Sequence, residues 1–348
     1  MKTYRLTDFL TNQMLIDSIG AANKVIENDE KLFSEVGILS KLLHNESPDF
    51  GNQFKETYEY SKNILDKLVD CLILCVFDRG IDKTIELYQN RNISLEILKD
   101  SLGDFDLRCE FHYKMCGRAG TDAPDWSKLF VLGKLFKLGR LQYMPQKFHY
   151  NTLVYKNMNT GKLLLLSEPN IKVNDKGYKV QENESFITGK YNKINPNGSI
   201  SPVCEKINLE NYQLILKNDD SVLDMHIPAI GPLTPDMVKE SLQKALEFGK
   251  KHFSELDFKA YTCDSWLLGE ETEEILSANS NIMKFRNLFT LTSANKGTHS
   301  LIYKWIFDFE KNQEDYKKHI AENSLQKGAH RLLDEGRWFS QRAGIILL

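Results

Sequence analysis

The stretch SVLDMHIPAIGPLTPDMVKESLQKALEFGKKHF, Ser221 to Phe253, decides the fold of this chain. Its first residues alternate as a strand does, with Leu223, Met225 and Ile227 on one face and Val222, Asp224 and His226 on the other. Pro228 ends pairing on its N–H side, which leaves His226 at the strand's C-terminal end, where open α/β sheets place ligands. A helix must start soon after. Thr234 fits the N-cap and Pro235 the first helical position, where a missing N–H costs nothing. Val238, Leu242, Ala245, Leu246, Gly249 and Phe253 then form one stripe of helical period. A second strand follows in FKAYTCDSWLL, Phe258 to Leu268. Strand, turn, helix and strand at these lengths predict a parallel crossover, with the turn's amides at a helix N-terminus open to an anion.

Working upstream, residues from about Thr7 to Gly120 read as helices. FKETYEYSKNILDKLVDCLILCVFDRG keeps helical spacing until Gly80, and its apolar LVDCLILCVF, too short to span a bilayer, reads as a buried helix. Ser94 and Gly103 bracket a further short helix. The Gly-, Pro- and Asp-rich GRAGTDAPDW marks the junction between two domains, taken as 1–125 and 126–348. An amphipathic helix, WSKLFVLGKLFKLG, links the two parts. TLVYKNMNTGKLLLLS and VNDKGYKV are hairpin candidates, and the Asn-Pro-Asn-Gly run at 195–198 is a turn. From Tyr212 the expected order is strand, helix, strand, helix, strand.

Composition narrows the function. With 348 residues, 41% hydrophobic and 27% charged, the chain is an ordinary globular protein long enough for two cores. A net charge of −3 offers no basic field for nucleic acid. The N-terminus mixes Asp8, Asn12 and Gln13 into its apolar residues and has no signal-peptide core. Six cysteines are no disulfide framework at this length, so a reducing, cytoplasmic location without membrane association is expected. No Walker or dinucleotide glycine pattern occurs, which sets kinases and dehydrogenases aside. Cys109, His112 and Cys116 have helical spacing but no evident fourth ligand, so no metal is assigned.

HIPAIGPLTPDMVKESL, followed by YTCDSWLL and SNIMKF and preceded by LGRLQY at Leu138 to Tyr143, resembles bacterial acyltransferase-domain proteins. These carry a helical N-terminal part and a C-terminal domain like the GCN5-related N-acetyltransferases (GNAT). The likeness is clearest from about Leu132 to Phe289. It implies an α/β fold of α+β type, with an all-helical N-terminal domain followed by a GNAT-like mixed-sheet domain. It also implies acetyl-CoA or another acyl-CoA as acyl donor and a small-molecule amine or peptide as acceptor; it gives no oligomeric state. The pantetheine arm would lie between Val222–Ile227 and Tyr261–Leu267, with pyrophosphate on the turn Ala229–Thr234.

On this reading His226 is the general base, because a near-neutral imidazole can take a proton from the attacking amine. The same histidine could instead tie a strand end to a loop through Asp224. Tyr261 or Ser265 would face the departing CoA thiolate, and Ile230, Gly231, Leu233 and Thr234 would hold the pyrophosphate. The turn departs from the usual GNAT pattern of spaced glycines. It has Gly231 alone, Pro228, Pro232 and Pro235 each remove a donor, and Asp236 adds a negative charge. Two alternatives follow: a GNAT-shaped binding or scaffold protein without catalysis, and an acyl-enzyme on Cys263. The basic run Lys134, Lys137, Arg140 and Lys147 reads either as phosphate contacts or as solvated faces.

Overall fold

In the computed structural model, residues 4–167, 188–292, 299–307 and 313–348 are described. The chain divides into two compact units, Met1–Leu138 and Gly139–Leu348. The hairpin expected at VNDKGYKV lies outside the described residues.

Among the described residues the first unit has eight α-helices: α1 (Gln13–Glu27), α2 (Glu30–His44), α3 (Phe50–Leu65), α4 (Leu72–Arg79), α5 (Ile81–Asn90), α6 (Leu95–Leu102), α7 (Asp104–Cys116) and α8 (Pro124–Val131). The long helix expected up to Gly80 is in fact two. Asp66 takes a positive φ of 47°, a 3₁₀ segment covers Asp66–Cys71, and α4 begins only at Leu72. All residues of α4 from Leu72 to Asp78 are buried, as its apolar sequence requires. Ser94 caps α6 by accepting from Ile97 N. The helix expected through Gly139 stops at Val131. Gly133 takes a left-handed φ of 61°, and the amides of Lys134 and Leu135 turn back onto Leu129 O, which leaves Phe136–Leu138 as a short strand, β1.

The second unit holds two sheets face to face. Its strands are β2 (Leu141–Lys147), β3 (Thr152–Asn157), β4 (Leu163–Ser167), β5 (Thr188–Ile194), β6 (Ile200–Asn208), β7 (Tyr212–Leu216), β8 (Ser221–His226), β9 (Phe258–Ser265), β10 (Thr290–Thr292) and β11 (Arg342–Leu347). The helices are α9 (Pro235–His252), α10 (Glu270–Ile275), α11 (Asn281–Arg286), α12 (His299–Ile306), α13 (Gln313–Lys318) and α14 (Ser324–Asp334). The region after β7 thus carries one more strand before α9 and more helices after β9 than the expected alternation.

One sheet runs β6-β5-β4-β3-β7, antiparallel throughout. Within this unit the strands of the other run β2-β8-β9-β11-β10, and among these only the β8–β9 pair is parallel. The expected crossover through α9 is that pair. The turn expected at 195–198 closes with Gly198 N bonded to Asn195 O, and Gly198 has a φ of 81°.

The alternation of β8 determines what each face meets. Val222, with Ala260, Ala343 and Ile345, packs into a core with Phe148, Tyr150, Val154, Leu165 and Leu216 from the opposing sheet and its approaches. Asp224 and His226 share that inter-sheet face. The reverse face carries α9: Tyr143 donates to Ser241 Oγ at 3.2 Å, and the ring of Phe258 lies so close to Gly249 that a Cβ there would come within 2.9 Å of it.

Candidate active site

The ladder between β8 and β9 runs from Ser221↔Phe258 to Asp224↔Thr262 and stops. On their outer edges both strands continue, β8 pairing with β2 as far as His226↔Gln142 and β9 with β11 as far as Ser265↔Arg342. The two parallel strands therefore part over their last two or three residues. Their splayed ends can accept an extended chain carrying amide groups, the way a strand is added to a sheet edge.

Asp224 organises the inter-sheet face at the point where the strands part. It is buried, its Oδ1 accepts from Thr262 Oγ1 at 2.6 Å and from Tyr150 OH at 3.3 Å, and its Oδ2 lies 3.1 Å from His226 Nε2. Two hydroxyls thus fix one carboxylate oxygen and leave the other against the imidazole. The His226 side chain is 25% exposed, so it can meet solvent or substrate while its carboxylate partner stays dry. The Tyr150 hydroxyl is held firmly neutral, first by burial and then by the Asp224 charge.

The turn after β8 is held from behind. Arg140, only 7% exposed, donates from Nη1 to Pro228 O at 3.0 Å, from Nε to Pro232 O at 2.9 Å and from Nη2 to Gly231 O at 3.2 Å. Three turn carbonyls are thereby drawn to one side. Gly231 has a φ of 51°, a conformation most L-residues avoid, so its place in this turn rests on having no Cβ. Among the described residues the backbone amides of Gly231, Leu233, Thr234 and Asp236 have no intramolecular partner. The three prolines thus leave a run of donors at the N-terminus of α9, a place suited to an anion.

The expected site residues separate in three dimensions. His226, Gly231, Leu233 and Thr234 lie at the end of β8 and on the turn that follows. Thr234 Oγ1 also accepts from Met237 N at 3.4 Å, as an N-cap does. Two expectations require correction. The amide of Ile230 donates to Pro228 O at 2.8 Å inside the turn and is not available to a phosphate. Tyr261 points to the opposite face, where its hydroxyl donates to Leu242 O of α9 at 2.6 Å; burial pushes its pKa up to about 12. A strand alternates faces, so Tyr261 cannot join the Asp224–His226 face that Thr262 occupies. Ser265 stands at the end of β9, its Oγ accepting from Leu267 N at 3.2 Å, with its own proton still to donate.

Cys263 is buried, and its thiol is pushed well above the usual range by burial, then by the charges of Asp224 and Asp264. That environment opposes a thiolate nucleophile. In the first unit, His112 Nε2 lies 3.1 Å from Asp70, and no cluster of three or more metal-ligating side chains occurs among the described residues. Of the basic run, Lys134 pairs with Glu46 and Lys147 donates to Ser221 Oγ, whereas Arg140 is buried behind the turn. Asp224 was legible only as a partner of His226; Thr262, Tyr150 and the role of Arg140 were not legible at all. Arg140 was legible only as a member of the basic run and of LGRLQY, not as a support behind the turn.

No helix among the described residues is long and apolar enough to cross a membrane. The family model of the N-acyltransferase N-terminal domain matches residues 9–133, and that of the GNAT-like C-terminal domain matches residues 135–346. No curated protein matches. Solved structures with a similar fold include a mutant acyltransferase in complex with octanoyl-CoA, with a TM-score of 0.65 at 17% identity, covering 99% of this chain and 86% of that one. An acyltransferase in complex with decanoyl-CoA aligns with a TM-score of 0.63 at 20% identity, over 96% of this chain and 83% of that one. An acyltransferase in complex with decanoyl-CoA and teicoplanin aligns with a TM-score of 0.56 at 20% identity, over 80% and 67%. The first two alignments span both units, so the likeness extends through the helical half as well as the sheets. The C-terminal match alone takes in well over half of the chain, and the protein belongs to the family of the GNAT-like C-terminal domain.

Proposed function

We propose that this protein transfers an acyl group from acyl-CoA to an amine of a small-molecule or peptide acceptor. The observation that carries the reading is the parting of β8 and β9 beside His226, just ahead of a turn with unpartnered amides. The pantetheine arm would lie in the opening and pair with the freed strand edges. Its pyrophosphate would rest on the amides of Gly231, Leu233, Thr234 and Asp236.

In this arrangement His226 takes a proton from the amine as its nitrogen attacks the thioester carbonyl. The C–N bond forms and the C–S bond breaks. Asp224, 3.1 Å away, stabilises the imidazolium that results. Ser265 stabilises the departing CoA thiolate by hydrogen bonding, and the proton held on His226 returns through solvent to complete CoA. No protein thiol takes part, in keeping with the burial of Cys263. The structural neighbours were solved with octanoyl- and decanoyl-CoA and one of them with teicoplanin, so medium-chain donors and small-molecule acceptors are the first to test. Free thiols at all six cysteines fit a cytoplasmic location.

The test is thermal unfolding with CoA. At about a hundred times its Kd, a ligand specific to the native state stabilises it by roughly 2.7 kcal/mol. A clear upward shift of Tm is expected. An unchanged melting curve in millimolar CoA would remove the donor site and favour the non-catalytic alternative.

A further inference from the structure

Arg140 is a buried cation with an unusual set of partners. Its guanidinium is satisfied by three backbone carbonyls of one turn, those of Pro228, Gly231 and Pro232, which lie 88 to 92 residues away in the chain. Among the described residues no carboxylate lies within ion-pair distance of it. Burial of a full positive charge is costly unless it is hydrogen-bonded and neutralised, and here only the hydrogen bonds are present. Carbonyl dipoles offset part of that cost; the charge itself is left to attract whatever anion meets the turn from its other side.

Geometry supports the same conclusion. A peptide unit whose carbonyl is drawn toward Arg140 sends its N–H the opposite way, since the two groups are antiparallel across a planar trans bond. Pro228 O and Pro232 O belong to the peptide units that carry the N–H groups of Ala229 and Leu233, neither of which has an intramolecular partner among the described residues, while Gly231 O shares its unit with the proton-less nitrogen of Pro232. The position of Arg140 is itself fixed. It follows Gly139, which has a φ of 74° and packs against Ser241 of α9, and it precedes Leu141, whose N donates to Ser241 Oγ at 3.1 Å. The guanidinium is therefore tied to the helix whose N-terminus the turn forms.

We infer that Arg140 is the positioning residue of an anion-binding turn, holding the carbonyls of Pro228, Gly231 and Pro232 inward so that the amides of Ala229 and Leu233 face a pyrophosphate whose charge its own charge complements. This rests on the acyl-CoA reading above and adds to it the residue that specifies the nucleotide end of the donor. Arg140 touches the turn and not the ligand. Its influence should be confined to ligands that carry the pyrophosphate.

The experiment compares CoA with pantetheine, which lacks the nucleotide and its phosphates, by calorimetric titration of the full chain. Arg140→Lys keeps the charge but cannot span three carbonyls; Arg140→Gln removes the charge. Hydrogen bonds to a charged group predict that CoA affinity falls by about tenfold to a hundredfold in the variants, more for Gln than for Lys. Pantetheine affinity should stay at the wild-type value. Equal losses for both ligands, or no loss for CoA, would overturn the inference while leaving the acyl-CoA reading standing. Absence of CoA binding by the wild-type protein would overturn both. If neither variant folds, the Nε–H resonance of Arg140 in the wild-type protein decides. It should shift on addition of CoA and stay in place with pantetheine, and a resonance indifferent to CoA refutes the inference.

Discussion

Replacing Asp224 by Asn tests whether the strand-end pair is catalytic. Asn keeps the size of the side chain and can still accept from Thr262 and Tyr150 through its carbonyl oxygen, so the 2.6 and 3.3 Å contacts survive in form. What is lost is a negative charge 3.1 Å from His226 Nε2. At that separation and an effective dielectric of about 20, the attraction between imidazolium and carboxylate is about 5 kcal/mol. Only the part developed in the transition state counts toward rate. With the proton about half transferred, roughly 2.7 kcal/mol is forfeited, equivalent to about a hundredfold in kcat. The ground state, before the proton is transferred from the amine, loses far less. CoA affinity and Tm should therefore stay close to wild type while the rate of thiol release in the presence of acceptor falls about a hundredfold. The pair has no catalytic role if Asp224→Asn leaves turnover intact. A matched loss of CoA affinity and rate would instead mean that the carboxylate shapes the donor site.

Two further outcomes bear on the same strand and turn. His226→Ala should lower turnover by roughly a hundred- to ten-thousand-fold with little change in CoA affinity, whereas Cys263→Ala should be mild; an abolished rate in a folded, CoA-binding Cys263→Ala variant would make the acyl-enzyme route the better account. Thr234→Ala should cost about 1 kcal/mol of stability, read as a lower Tm, through loss of the bond to Met237 N; wild-type stability with lost CoA binding would make the hydroxyl a ligand contact instead.

The parts of the fold that could be read from sequence are those fixed by local rules. The strand alternation of Ser221–His226, the Thr234–Pro235 helix start and the buried run inside Leu68–Phe77 each need only neighbouring residues to explain them. Errors arose where a few residues override a period. Asp66 breaks an otherwise continuous helical pattern at a positive φ, and Gly133 ends α8 while apolar residues continue at helical spacing into β1. Tyr261 shows a different limit. Its position on β9 was right, but which face it takes depends on register with β8, and register is a tertiary property.

The candidate site was half legible for the same reason. His226 could be placed because Pro228 marks the strand end beside it. The donors of the turn could not be counted from sequence, because counting prolines says how many amides are missing and nothing about where the remaining ones point. For Ala229 and Leu233 that direction is set by Arg140, whose bonds to the turn span about ninety residues of chain. Its sequence context, a basic residue after a glycine at the start of a strand, looks the same as that of a solvated surface arginine. Only burial distinguishes the two. A surface arginine adds little to a nearby phosphate because water screens it, while one held at 7% exposure against the carbonyls of the turn acts through a poorly screened path. A turn with one glycine and three prolines can then serve an anion as well as a glycine-rich one, because the orientation that glycines would permit is here imposed by a cation from behind.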